Sequence, residues 1–146
     1  MATRVLVIDD EGPIRLLCRV NLEAAGMVVD EAENGVTGIE LARNETPDVI
    51  LLDVMMPGMD GWAVFGALNE DERTARIPVV FLTARAELRD QARGLELGGV
   101  DYVTKPFDPL DLAPLIDDLI DRIDSGDVQE RRRERLVELR RLLVND

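Results

Sequence analysis

Val49-Ile50-Leu51-Leu52-Asp53 is an apolar run that stops on a carboxylate, and three more runs in the chain likewise end on polar residues. Val5-Leu6-Val7-Ile8 ends at Asp9-Asp10, Val79-Val80-Phe81-Leu82 at Thr83, and Val100 to Val103 at Thr104-Lys105. Short β-branched runs with no polar alternation read as strands buried on both faces, which is the habit of a parallel sheet. Longer stretches of helical period separate them. Ile14, Leu17, Cys18, Leu22 and Ala25 precede Gly26, and a second helix is expected from Gly35 to Asn44. Asp60 is placed to cap a helix carrying Trp62, Phe65 and Leu68, and Leu88, Ala92 and Leu95 precede Gly98-Gly99. Asp108 and Pro109 open a stripe of Leu112, Leu115, Ile116, Leu119, Ile120 and Ile123, in which Pro114 predicts a kink or a late start. Met27 to Val29 is a weaker strand that turns acidic at Asp30-Glu31, as suits a sheet edge. The alternation is an α/β pattern of five βα units, a doubly wound sheet between two helical layers.

Composition narrows the function. The 146 residues amount to one domain with a short appendage, and 46% hydrophobic content is enough for one core. Seventeen basic against thirty acidic residues leave a net charge of −13, which repels a phosphate backbone or an anionic membrane surface. Neither nucleic acid nor membrane is therefore expected as a direct partner. No apolar run reaches membrane-spanning length, the first residues do not resemble a signal peptide, and one cysteine closes no internal disulfide, so a cytoplasmic setting is expected. With no histidine, the chain holds no histidine-based triad, metal site or phosphohistidine.

In a parallel sheet, ligands bind beyond the carboxyl ends of the strands, where the strand order reverses. A flavodoxin-like order 2-1-3-4-5 makes the first and third strands neighbours, gathering Asp9, Asp10 and Asp53 at one edge with Thr83, Thr104 and Lys105 close by. Three carboxylates in one cleft raise one another's pKa, whereas a hard divalent ion with oxygen ligands neutralises them. Magnesium is the natural choice.

Val5-Leu6-Val7-Ile8-Asp9-Asp10-Glu11, the segment from Asp53 through Met55-Met56-Pro57-Gly58 to Gly61, Thr83-Ala84 and Lys105-Pro106-Phe107 together resemble the response regulator receiver domain of two-component signalling, the fold of the chemotaxis regulators. The likeness runs from Arg4 to about Ile123, so residues 1–124 are read as the receiver domain. It implies that Asp53 is the phosphoacceptor, taking a phosphoryl group from the phosphohistidine of a sensor histidine kinase or phosphotransfer protein. It also implies that Asp10, Asp53 and the backbone carbonyl of Met55 ligate magnesium directly, with Asp9 acting through water. Lys105 would pair with the phosphoryl oxygens, Thr83 would move to hydrogen-bond them, and Tyr102 would turn inward behind it. The Lys105-Pro106 peptide would be cis, and Met55 and Arg85 would flank the approach of hydrolytic water. The output would be a changed surface around the fourth helix and fifth strand, read by a downstream protein effector. The chain would be a phosphoacceptor rather than an enzyme.

Simpler readings stand beside these. Asp9-Asp10 can be a helix-entry cap, Asp53 a loop aspartate, Thr83 a strand-end hydroxyl, Tyr102 a half-buried sheet aromatic and Lys105 a surface lysine. Cys18 reads as a core thiol. Met55, Met56 and Met59 read as apolar filling, since thioethers suit a hard ion poorly. A haloacid-dehalogenase-like phosphatase also uses an aspartate nucleophile and magnesium, but needs a second aspartate where this chain has Met55. A flavodoxin-like flavin binder needs a phosphate loop rich in Ser, Thr and Gly, not Asp9-Asp10-Glu11.

After Asp124-Ser125-Gly126 the composition changes, with six arginines against five acids in residues 125–146. Leu136, Leu139 and Leu143 with Glu130, Glu134, Arg131 and Arg135 predict a C-terminal amphipathic, salt-bridged helix or linker, too short to be stable unless docked or paired. Pro114 and the acids Asp111, Asp117, Asp118 and Asp121 depart from receivers that pair through their last helix. A homodimer through that helix or through the tail stays open, as does a free-standing regulator against the receiver part of a longer transcription factor or effector.

Overall fold

The computed structural model describes residues 2–84 and 88–145. Five parallel strands, β1 (Arg4–Ile8), β2 (Val28–Ala32), β3 (Val49–Asp53), β4 (Val79–Ala84) and β5 (Asp101–Lys105), form one sheet in the order β2-β1-β3-β4-β5. The helices are α1 (Gly12–Ala24), α2 (Gly35–Glu45), α3 (Gly61–Glu70), α4 (Leu88–Leu97), α5 (Leu112–Asp124) and α6 (Val128–Asn145). Alternate strand residues feed two cores. Val5, Val7, Val49, Leu51, Val80 and Leu82 pack with α1 and α5, while Leu6, Ile8, Ile50, Leu52 and Phe81 pack with α2 and α3. The expected three-layer, doubly wound sandwich is the observed one.

Local differences have local causes. β2 starts at Val28 and runs on through Asp30 and Glu31 to Ala32. At the sheet edge these acids reach cations: Asp30 pairs with Arg4 at 3.3 Å, and Glu31 with Arg15 at 3.2 Å and Arg19 at 3.0 Å. Asp108 caps a single 3-10 turn, Pro109–Asp111, by accepting from the Leu110 N–H at 3.0 Å, and α5 begins only at Leu112. Pro114 thus falls in the first turn of α5, where no N–H is needed, so a late start replaces the kink. In α1, Leu17 is exposed, because Cys18 and Leu22 form the buried stripe. The arginines of α6 pair mainly outside their own helix, with Arg131 and Arg135 both on Asp101 of β5. Within α6 the described pair is Arg135 with Glu138, not a ladder through Glu130 and Glu134.

Gly61 brings α3 against the end of β3. A Cβ there would collide with the Asp53 carbonyl oxygen and lie 2.7 Å from Val54 Cα, and backbone cannot swing aside as a side chain can. Gly66, on the same helix, faces open space. Gly61→Ala is expected to cost ~1–3 kcal/mol through overpacking. Gly66→Ala should gain up to about 1 kcal/mol from helix propensity. Thermal denaturation of the two variants checks both signs.

Candidate metal and phosphoryl site

The register sets the site. Ile8 pairs with Leu52 across β1 and β3, so Asp9 and Asp53 are the next residues in step on neighbouring strands. Both are buried, at 0% and 3% exposure, whereas Asp10 is exposed. Asp9, Asp10 and Asp53 each offer a carboxylate oxygen within 4.8 Å of the others. One oxygen of each buried acid is held locally: Asp9 Oδ1 accepts from the Glu11 N–H at 2.9 Å, and Asp53 Oδ1 accepts from the Met55 N–H at 3.1 Å. The other oxygens face Lys105, whose Nζ lies 2.7 Å from Asp9 Oδ2 and 3.5 Å from Asp53 Oδ2.

The charges do not balance. Burial, and then the charge of Asp9, push the Asp53 carboxyl up from 3.8 to about 7, against the pull of Lys105 and the Met55 N–H. Burial alone would lower the Lys105 ammonium, but the hydrogen bond with Asp9 and the charges of Asp53 and Glu11 outweigh it and raise it. One ammonium among three clustered acids, with Glu11 also 3.4 Å from it, leaves an excess of negative oxygen. An all-oxygen, over-charged cluster fits a hard divalent cation such as magnesium.

The remaining expected residues are spread around this cluster. Thr83 sits on β4 one residue past Leu82, the ladder partner of Asp53. It is buried, and among the described residues its Oγ1 has no hydrogen-bond partner. Tyr102 lies on β5 opposite Phe81, half-buried and away from the acids. The Lys105-Pro106 peptide is cis. The Met55 side chain is 70% exposed, so only its backbone belongs to the site, and Arg85 lies outside the described residues.

Two neighbours were missed from the sequence. Glu11 joins the Lys105 network, and Arg15 donates to the Asp9 carbonyl at 2.7 Å while pairing with Glu31. The signal was available for Arg15, which lies one helical turn past Glu11 and so faces the end of β1.

The raised Asp53 carboxyl has a measurable consequence. Between about pH 4 and about pH 7 the folded metal-free chain keeps a proton that the unfolded chain has lost. Asp53 therefore contributes stability that is complete below about pH 4 and lost as pH rises through about 7. Asp53→Asn removes this titration. In metal-free buffer, denaturation should show the variant gaining on the order of 4 kcal/mol on the wild type between acidic and slightly alkaline pH. A pH-independent difference between the two would contradict the burial of that charge.

Comparison with known proteins agrees with the fold. The response regulator receiver domain model matches residues 5–117. The DNA-binding dual master transcriptional regulator RpaA of Synechocystis sp. is 44% identical over 121 residues, covering 83% of this chain and 50% of that protein. The phosphate regulon transcriptional regulatory protein PhoB of Escherichia coli is 43% identical over 130 residues, 89% of this chain and 57% of its own length. The chain thus spans about half the length of the curated relatives it matches. Among solved structures, chemotaxis protein CheY4 of Vibrio cholerae superposes with a TM-score of 0.75 at 28% identity, over 81% of this chain and 98% of that one. A putative response regulator from Chloroflexus aurantiacus gives 0.76 at 27% identity, over 81% and 97%. With its motifs at the ends of β1, β3, β4 and β5, this chain belongs to the response regulator receiver domain family.

Proposed function

We propose that this chain is a phosphorylation switch in which Asp53 accepts a phosphoryl group from the phosphohistidine of a sensor histidine kinase or phosphotransfer protein. The observation that carries the reading is the clustering of three carboxylates within 4.8 Å with Lys105 3.5 Å from Asp53. Asp9, Asp10, Asp53 and the backbone carbonyl of Met55 would hold magnesium, which supplies positive charge for the equatorial oxygens of the transferring group. An Asp53 carboxylate oxygen attacks phosphorus, the bond from phosphorus to the donor's nitrogen breaks, and the electron pair leaves with the imidazole. Lys105 then trades part of its pairing with Asp53 for the new phosphoryl oxygens. Such transfer needs positioning and cations rather than an acid-base histidine, in keeping with a chain that has none.

Thr83 is the hydroxyl read as following, because a buried Oγ1 with no hydrogen-bond partner among the described residues gains one when an anion appears one strand away. Tyr102 shares its sheet face, since the β4 to β5 register aligns Phe81 with Tyr102 and Thr83 with Thr104. The output is a contact with a downstream protein effector, altered on the surface around α4 and β5. No described helix is long and apolar enough to cross a membrane. A haloacid-dehalogenase-like phosphatase is disfavoured by Met55, which puts a thioether where that chemistry places its second acid.

The test is phosphoryl uptake from acetyl phosphate with magnesium, followed by intact-mass measurement. Wild type should gain one phosphoryl group and Asp53→Ala none. Lys105→Ala should slow uptake about 100-fold, the order expected for losing one charge-stabilising donor. Equal labelling of Asp53→Ala would remove Asp53 as the acceptor. Stripping magnesium with a chelator should abolish uptake in wild type.

A further inference from the structure

We propose that α6 is a displaceable strap over α4 and β5, and that its docking and phosphoryl occupancy of Asp53 oppose each other through Tyr102. The inference rests on the phosphoacceptor reading above and adds a regulator built into this chain. The family match ends at residue 117, so α6 lies beyond it.

The chain reverses after α5 at Ser125-Gly126-Asp127, where Gly126 takes φ +83°, a conformation costly for any side chain. α6 then runs back along the edge strand β5 toward α4. Its anchor is Asp101, a carboxylate at the start of β5 with 1% exposure. Arg131 approaches Asp101 Oδ2 at 2.6 Å, and Arg135, one turn on, approaches Oδ1 at 3.0 Å. Arg131 also reaches Asp118 of α5 at 2.9 Å, and Arg140 reaches Glu96 of α4 at 3.2 Å. Leu139, fully buried, joins Ala92 and Leu95 of α4, with Leu136, Leu143 and Tyr102 packed around them.

Tyr102 links this contact to the site. Its ring lies under the Arg135 guanidinium, 4.5 Å from ring centroid to Cζ, and forms part of the floor on which Leu139 rests. The same ring borders the inner core opposite Phe81, two residues before Thr83 on β4. A ring turned inward behind a displaced Thr83 takes the stacking surface from Arg135 and the floor from Leu139. While Arg135 and Leu139 hold the ring, that movement is opposed. The two pairs on Asp101 are largely buried, but the rest of the contact is one fully buried α6 leucine and ion pairs with an exposed partner, and a carboxylate uncovered by undocking is rehydrated, so the contact can be exchanged. Linkage makes the effect reciprocal: whatever factor phosphoryl occupancy takes from docking, docking takes from occupancy.

The rival is a static role, in which α6 merely covers the edge of β5. Beryllofluoride with magnesium, a stable phosphoryl mimic, separates the two in the full chain. Its affinity is read from Trp62, the single tryptophan, and α6 mobility from amide hydrogen exchange. Saturating beryllofluoride should speed exchange throughout α6 about fivefold or more, and Arg135→Ala and Leu139→Ala should bind it about fivefold more tightly. Unchanged α6 protection in beryllofluoride-bound wild type overturns the proposal, as does equal or weaker binding by both variants. The exchange measurement needs no variant and so does not depend on their folding. Wild type that fails to bind beryllofluoride, like Asp53→Ala, would instead sink the phosphoacceptor reading and this inference with it. Binding with an indifferent α6 sinks the strap alone.

Discussion

Two carboxylates buried side by side at the ends of adjacent parallel strands are the constraint around which this molecule is arranged. Asp9 and Asp53 are nearly sealed from water, and unpaired charge in such a place is costly enough that partners must be supplied. Lys105 reaches in from the end of β5, while the N–H groups of Glu11 and Met55 each hold one oxygen. Rigidity comes from behind, because β1, β3 and β4 are buried along almost their whole length and fix where their terminal side chains stand. The close seat of Gly61 on the Asp53 carbonyl keeps α3 pressed against the same end. Pairing stops short of neutrality, and that deficit suits a hard divalent cation.

Asp101 gives a useful contrast. It is as buried as Asp53, yet two arginines meet this one acid, and the group is fully compensated within the chain. A cluster of three acids with one ammonium invites a cation, whereas one acid between two guanidiniums asks for nothing more. Excess charge therefore separates a site for chemistry from a clamp between elements. The two are joined by β5, which carries Asp101, Tyr102 and Lys105 within five residues. Whatever moves Tyr102 acts on a strand that serves both.

Much was legible before any coordinates. Strands buried on both faces leave short β-branched runs such as Val49 to Leu52 bounded by turn residues, and a carboxylate ending such a run is conspicuous because a core tolerates a charge only when it is paired. Asp60 as a cap and Leu139 on the tail's apolar stripe were readable for the same local reason: each depends on neighbours three or four residues away. The acidic edge of β2 and a late start for α5 were readable too, whereas the partners of Arg131 and Arg135 were not. Those depend on a group far along the chain, and a charged side chain carries no mark of which opposite charge it will meet. Sequence alone determined the alternation of elements and the acids at their ends, since burial and periodicity are properties of neighbouring residues. Tertiary structure decided that Asp9 and Asp53 share one ammonium and that α6 lies on Tyr102, because register and docking set distances between residues the chain keeps far apart.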